Sequence, residues 1–140
     1  MNRLLILPVL LLTLLIGNAA SPADFQKGFD AWERGDYTTA LREWTPLAEQ
    51  GFAKSQYNLG VMYAKGQGVL QDYVRAHMWW NIATLQGDKD AREKRDTLEK
   101  ILTSTQLETA QKLARECFQK KYKGCLVELH PTISMLHGGD

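Results

Sequence analysis

Histidine, serine and cysteine side chains are among the groups in this sequence that could act as metal ligands or nucleophiles. The three histidines are His77, His130 and His137, and no spacing typical of metal ligands relates them to one another or to a cysteine. His77 could act as a general base only opposite a nucleophile, and the sequence identifies none. No recognisable nucleophile motif surrounds Ser55, Ser104 or Ser134. The residues therefore predict no catalytic site, no metal site and no cofactor.

The N-terminus has the pattern of a secretory signal peptide. Arg3 is the one charge before Asp24, residues 4–16 form an apolar run of 13 residues, and small residues follow. A membrane-spanning helix needs about 20 apolar residues, so this run is too short for an anchor. We expect cleavage after residue 20 and a periplasmic or secreted protein without stable membrane insertion.

Charge and size limit the possible functions. The chain has 17 Lys and Arg against 16 Asp and Glu, and loss of Arg3 with the signal peptide leaves 16 of each. An exported protein without basic excess is a poor candidate for binding nucleic acid. Of the 140 residues, 120 remain after cleavage, which fits one small domain with a single core.

The sequence repeats itself at an offset of 36 residues. Six identities fall within 16 residues: Asp36 with Asp72, Tyr37 with Tyr73, Ala40 with Ala76, Trp44 with Trp80, Gln50 with Gln86, and Gly51 with Gly87. Spacings of three and four place the aromatic and alanine residues, together with Ala83, on one face of a helix. The aspartates stand at N-cap positions and the glycines follow the helix ends. Each copy is predicted to be one helix with a buried aromatic stripe.

A second helix precedes each copy. Gly28 in "FQKGFDA" and Gly60 in "YNLGVMY" recur at an offset of 32. Glycine inside a helix costs about 1 kcal/mol relative to alanine, so its recurrence predicts that two helices approach closely there. The repeating unit is therefore a helix hairpin, and "GQGVLQ" lengthens the turn of the later hairpin by four residues.

Further positions of residues 53–91 match a known repeat pattern: Ser55, Tyr57, Leu59, Gly60, Met62, Tyr63, Gly66, Gly68, Val69, Trp79 and Ala91. With the identities above, they resemble a Sel-one-like repeat (SLR), a relative of the tetratricopeptide repeat, and Phe25 to Gly51 resembles a shorter unit of that kind. The resemblance implies an all-α fold, a short α-solenoid of antiparallel helix hairpins wound into a right-handed superhelix with a C-terminal capping helix pair.

The repeat fades after Ala91. Helical periodicity continues, and Thr105 with Glu108 predicts a capping box at the start of a last helix. A polar, irregular final pair is typical of the cap of a repeat array. We therefore divide the chain into a signal peptide (1–20), a helical repeat domain (21–123) and a C-terminal tail (124–140).

The two cysteines, Cys117 and Cys125, lie near the end of this last helix. An oxidising compartment favours a disulfide, but the bond requires α-carbons within about 7 Å of each other. An unbroken helix to Lys123 would hold them about 12 Å apart, at 1.5 Å per residue. A bridge therefore requires the helix to end by about Lys120, with Gly124 available for the turn, and two free thiols are the alternative.

Stacked hairpins share a core and leave a concave surface lined by the first helix of each pair. The residues predicted to face this surface are Gln26, Phe29, Asp30 and Glu33 of the first pair and Asn58, Met62 and Lys65 of the second. We expect them to contact a partner protein or peptide. Trp32 and Trp79 fall off the core stripe and are further candidates, because exposed tryptophan is enriched at binding hot spots.

The resemblance implies a non-catalytic scaffold or adaptor of the cell envelope that binds another protein or peptide. Two alternatives stay open. Some exported, cysteine-rich SLR relatives are associated with β-lactam binding or hydrolysis, but they carry a regular cysteine pair in each repeat, whereas this chain has two cysteines in total. The exposed face could instead drive self-association of a structural protein.

Overall fold

The computed structural model describes residues 22–125, which form six α-helices and no strand. The helices are α1 (Pro22–Glu33), α2 (Tyr37–Glu49), α3 (Ala53–Lys65), α4 (Tyr73–Leu85), α5 (Lys89–Glu99) and α6 (Ser104–Gln119). The predicted signal peptide, and the predicted tail beyond Cys125, lie outside the described residues. Among the six helices, none has the length and apolar character needed to cross a membrane.

The helices stack as hairpins. α1 pairs with α2 and α3 with α4, and α2 packs on α3 to join the two hairpins. The third pair is splayed, since α5 and α6 each pack more closely against α4 than against each other. The predicted all-α repeat architecture is confirmed, and it makes α4 the central helix of the described array.

Each of the first two hairpins is closed by the same kind of glycine–tryptophan contact. A Cβ added at Gly28 would overlap the indole of Trp44, and one added at Gly60 would overlap the indole of Trp80. Each indole N–H donates, at 3.1 Å, to the backbone carbonyl three residues before the glycine. The recurrent glycines are therefore required because an indole ring occupies the space that a larger side chain at these positions would need.

The repeated stripe is buried except at its first position. The buried members are Ala40, Trp44, Ala76, Trp80 and Ala83, and Ala91 is buried at the start of α5. Tyr37 is half-buried, but Tyr73 is 40% exposed, so this tyrosine does not belong to the core as the stripe predicted. The first turn of α4 extends past the helices that cover the rest of it.

Aspartates cap the second helix of each repeated hairpin, as predicted. Asp36 Oδ1 accepts from the backbone N–H of Thr39 at 3.1 Å, and Asp72 Oδ1 accepts from that of Arg75 at 2.9 Å. These bonds satisfy backbone donors that have no partner within the helix.

The predicted capping box of α6 is wrong by two residues. Thr103, not Thr105, is the N-cap, and its hydroxyl accepts from the backbone N–H of Gln106 while the Gln106 amide accepts from that of Thr103. Both threonines precede an acidic or amide residue at the required spacing, so the motif alone did not fix which one starts the helix.

A disulfide joins Cys117 and Cys125, whose α-carbons are 5.3 Å apart. α6 ends at Gln119, as the bridge required, and left-handed backbone at Lys121 and Tyr122 then reverses the chain. The ring of Tyr122 lies over Gly51 in the α2–α3 turn, where an added Cβ would come within 3.1 Å of it. The bridged loop thus contacts the first hairpin.

Candidate binding cleft between the first two hairpins

A cleft of about 210 Å³ opens between α1 and α3. These helices belong to different hairpins and are not in close contact, which leaves the space between them. Its lining consists of Phe29 and Trp32 from α1, Trp44 from α2, and Tyr57, Asn58, Val61 and Lys65 from α3. Trp44 is buried and forms the floor, so one side chain both closes the first hairpin and supports the cleft.

The α3 wall follows from helical spacing. Asn58, Val61 and Lys65 are three and four residues apart and share one face, while Leu59 and Gly60 point into the core. This face carries an amide, an aliphatic and an ammonium side chain in that order toward the end of the helix. The wall is therefore apolar at its middle and polar at both ends.

The α1 wall is held in place by the long turn after α3. Trp32 Nε1 donates to Gln67 Oε1 at 3.1 Å, and its ring centroid lies 6.1 Å from that of Phe29. Gly68 of the same turn lies against the backbone of Tyr37, where an added Cβ would be 3.0 Å from the carbonyl oxygen. The four additional residues of this turn thus reach back to the first hairpin and fix the position of the Trp32 ring.

Two polar side chains of the cleft have no internal partner. Among residues 22–125, the Asn58 amide makes no hydrogen bond and the Lys65 ammonium makes no ion pair. By contrast, Gln26 on the exposed side of α1 donates to Asp30 at 2.7 Å. Asn58 and Lys65 are therefore available to a ligand without loss of an existing contact.

The charge around the cleft is uneven. Burial raises the pKa of the Tyr57 hydroxyl, and the nearby carboxylates of Asp90, Asp88 and Glu93 raise it further. These acidic groups belong to the start of α5, whereas Lys65 stands in the last turn of α3. An anionic ligand group is consequently disfavoured near Tyr57 and favoured near Lys65.

The seven residues predicted to face a partner occupy three different environments. Phe29, Asn58 and Lys65 line the cleft. Gln26, Asp30 and Glu33 are exposed on α1 but do not line it. Met62 is fully buried, so its prediction as a contact residue is wrong. Its counterpart Asp30 is exposed because α1 is the first helix described, whereas α3 has helices on both sides.

The two tryptophans that fall off the core stripe lie in different environments. Trp79 is fully buried in α4 and cannot contact a partner. Trp32 is half-buried and lines the cleft. Sequence reasoning did not assign Tyr57 or Val61 to the binding surface, although Val61 occupies the position of Phe29 at the offset of 32 and could have been found from it.

His77, Ser55 and Ser104 do not line the cleft. His77 is fully buried, with Nε2 2.9 Å from Glu99 Oε1, and its Nδ1 has no hydrogen-bond partner among the described residues. Ser55 is also buried, and Ser104 is exposed. His130, His137 and Ser134 lie outside residues 22–125, and within that range no group of three His, Cys, Asp or Glu side chains could hold a metal ion. The cleft itself is lined by aromatic, aliphatic, amide and ammonium groups.

Comparison with known proteins agrees with this architecture. Residues 53–88 match the Sel1 repeat family. A solved structure described as a protective antigen present in uropathogenic Escherichia coli strains, displaying an SLR fold, superposes with a TM-score of 0.66 and is 29% identical over 84% of this chain. The aligned part is 26% of that protein, so the chain spans about a quarter of its length. No curated protein is significantly similar to the chain.

Proposed function

We propose that this chain, as a Sel1-like repeat protein, is a non-catalytic scaffold or adaptor of the cell envelope. It binds a partner protein or peptide in the cleft between α1 and α3. The observation that carries the proposal is the cleft itself. It combines aromatic walls with an amide and an ammonium group that have no partner in the described part of the chain. Protein recognition sites characteristically combine buried aromatic anchors with polar groups at the rim.

An extracytoplasmic location is part of the proposal. The Cys117–Cys125 disulfide supports it, because such bonds persist in oxidising compartments and are rare in the cytosol. The signal-peptide pattern of residues 1–20 supports it independently. The structural neighbour is described as a protective antigen, and that description favours the same kind of location for this chain.

Site-specific photo-crosslinking in the native host tests the proposal. A benzophenone amino acid replaces Glu33, which is exposed on α1 next to the cleft, and in a matched control it replaces Arg42 on the exposed side of α2. We expect a discrete crosslinked protein from position 33 that is absent from position 42. It should also be lost when Val61→Arg fills the cleft. Identical products from both positions, or no product from position 33, would refute the proposed site.

A further inference from the structure

Resting on the proposed function, we infer that the α1–α3 cleft recognises an extended peptide segment in which an apolar side chain is followed, two residues later, by an aspartate or glutamate. The apolar side chain lies between Phe29 and Val61. The acidic side chain pairs with Lys65, and Asn58 hydrogen-bonds the peptide backbone.

The apolar part of the cleft has the size of a side-chain subsite. Its volume of about 210 Å³ is below the roughly 300–1,000 Å³ typical of pockets that enclose small-molecule ligands. Its walls are the aromatic rings of Phe29 and Trp32 and the aliphatic Val61, above the buried indole of Trp44. An inserted aliphatic or aromatic side chain removes apolar surface from water on both partners.

The polar part selects an anion at one end. Lys65 is exposed and makes no ion pair with residues 22–125, so its ammonium group can pair with a ligand carboxylate. At the other end the carboxylates of Asp88, Asp90 and Glu93 act on Tyr57 and repel a second anion. A ligand carboxylate therefore lies toward the C-terminal end of α3.

Helix and strand geometry set the spacing of the two peptide side chains. Val61 and Lys65 are four residues apart, which is about 6 Å along a helix axis. In an extended chain, residues i and i+2 point to the same side and are separated by about 6.6 Å. Asn58 lies about 10 Å from Lys65 along the axis, the length of about three extended residues. For a peptide that runs parallel to α3, the register that places one side chain at Val61 and the next on the same side at Lys65 is apolar–any–acidic.

Peptide titrations of the disulfide-bonded protein, followed by ¹H–¹⁵N spectroscopy, test this register. The indole N–H of Trp32 reports on the cleft, and that of the buried Trp79 is an internal control. The probe is acetyl-Gly-Leu-Ala-Glu-Gly-amide. The comparison peptides carry glutamine in place of glutamate, glutamate directly after leucine, or a free C-terminal carboxylate after Leu-Ala.

We expect the probe to shift the Trp32 signal and to bind about two- to fivefold more tightly than the glutamine peptide, the range of exposed ion pairs. The Lys65→Met variant should lose this preference while keeping the weaker affinity for the glutamine peptide. Moving the glutamate next to the leucine should also abolish the preference, because adjacent side chains of an extended peptide point to opposite sides.

Equal binding of all four peptides, or a preference that survives Lys65→Met, overturns the inferred register and leaves the cleft as a less selective site. Tighter binding of the free-carboxylate peptide overturns the assignment to an acidic side chain. Absence of any Trp32 shift overturns the inference altogether. The crosslink from position 33 does not depend on the peptide sequences, so failure of the proposed function is recognised separately.

Discussion

Helices α2 and α4 derive from the same repeated pattern but occupy different environments. Trp44 and Trp80 are both buried and both contact a glycine of the preceding helix. The positions before them differ. Glu43 forms an ion pair with Lys27 on the surface, whereas its counterpart Trp79 is fully buried. The repeated residues therefore close each hairpin, and the residues that do not repeat indicate how many neighbours the helix has.

The difference arises because α4 is covered on its second side. α5 and α6 both pack against it, and its buried set accordingly includes His77, Met78, Trp79 and Ile82 in addition to the stripe. On α2 the counterparts of Met78 and Ile82 are Arg42 and Pro46, which are exposed. Burial of this second side encloses two polar atoms without partners among the described residues, His77 Nδ1 and Trp79 Nε1, and each such atom has a desolvation penalty.

The largest expected effect contrasts Trp79 with its counterpart. Trp79→Ala should lower the free energy of unfolding by about 3–5 kcal/mol, because it leaves a large cavity in a fully buried site. Glu43→Ala removes the ion pairs that Glu43 makes with the exposed Lys27 and Arg42 side chains and should change it by about 1 kcal/mol or less. Urea denaturation measures both. Similar losses at the two positions would contradict the difference between the helices.

Trp79→Phe sharpens the same comparison. It keeps most of the aromatic volume and removes the buried N–H that has no partner. We therefore expect it to destabilise the protein much less than Trp79→Ala. A loss as large as that of the alanine variant would contradict the expectation that the aromatic volume of Trp79 carries most of its contribution.

The second effect concerns the covering of α4 by α6. Reduction of Cys117–Cys125 should lower the free energy of unfolding by about 2–3 kcal/mol, because the bond closes a short loop in the unfolded chain. Thermal unfolding with and without reductant measures it. A variant with both cysteines changed to alanine is the control and should be insensitive to reductant. An unchanged midpoint for the wild type on complete reduction would contradict the expected contribution.

The third effect tests the glycine–tryptophan contact that the first two hairpins share. Gly60→Ala should destabilise the protein by about 1–3 kcal/mol, because the added Cβ overlaps the Trp80 indole and outweighs the gain of about 1 kcal/mol in helix propensity. Gly28→Ala meets the same overlap with Trp44, but α1 is the first described helix and can shift more easily, so we expect a smaller loss. Exposed Lys54→Ala is the control for denaturation in urea. Stabilisation by either glycine substitution would exclude a steric role for that contact.

The smallest effect is a pH dependence located in α2. Hydrogen bonds from Thr39 lower the pKa of Asp36, and those from Lys27 and Arg42 lower the pKa of Glu43. A carboxyl whose pKa is lower in the folded state stabilises the fold above its unfolded value, here 3.8 and 4.5. This contribution is lost as pH falls through the lowered values.

Denaturation between about pH 5 and pH 2.5 should therefore show a loss of stability that Asp36→Asn together with Glu43→Gln reduces. Asparagine remains an N-cap without titrating, which separates charge from capping. An unchanged pH profile in the double variant would assign the acid sensitivity to other carboxyls.

The hairpins could be predicted because their contacts are local in sequence. Gly28, Trp44 and the capping aspartates recur at fixed offsets, and each recurrence corresponds to one contact within a hairpin. The early end of α6 was predicted as the condition for a bridge between Cys117 and Cys125, and the bridge is present. These inferences required no knowledge of how the hairpins stack.

Apart from the start of α6, the errors concern contacts between hairpins. A helical wheel placed Met62 opposite the packing side and Trp79 off the core stripe because it considers one packing side, whereas both residues are buried in a helix with neighbours on more than one side. The prediction of the cleft residues was incomplete for a similar reason. Phe29, Asn58 and Lys65 were identified, but the contribution of Trp32 depends on its hydrogen bond to Gln67, a residue of the irregular turn 35 positions away.

The position of Tyr122 over Gly51 has a consequence for the cooperativity of folding. In an ideal linear array each repeat interacts with its immediate neighbours, so terminal units can unravel while the rest stays intact. Here the loop after the last helix touches the turn that follows the first hairpin. Fraying of the C-terminal loop therefore breaks a contact with the turn that joins the first two hairpins. The three helix pairs should consequently unfold together in one transition.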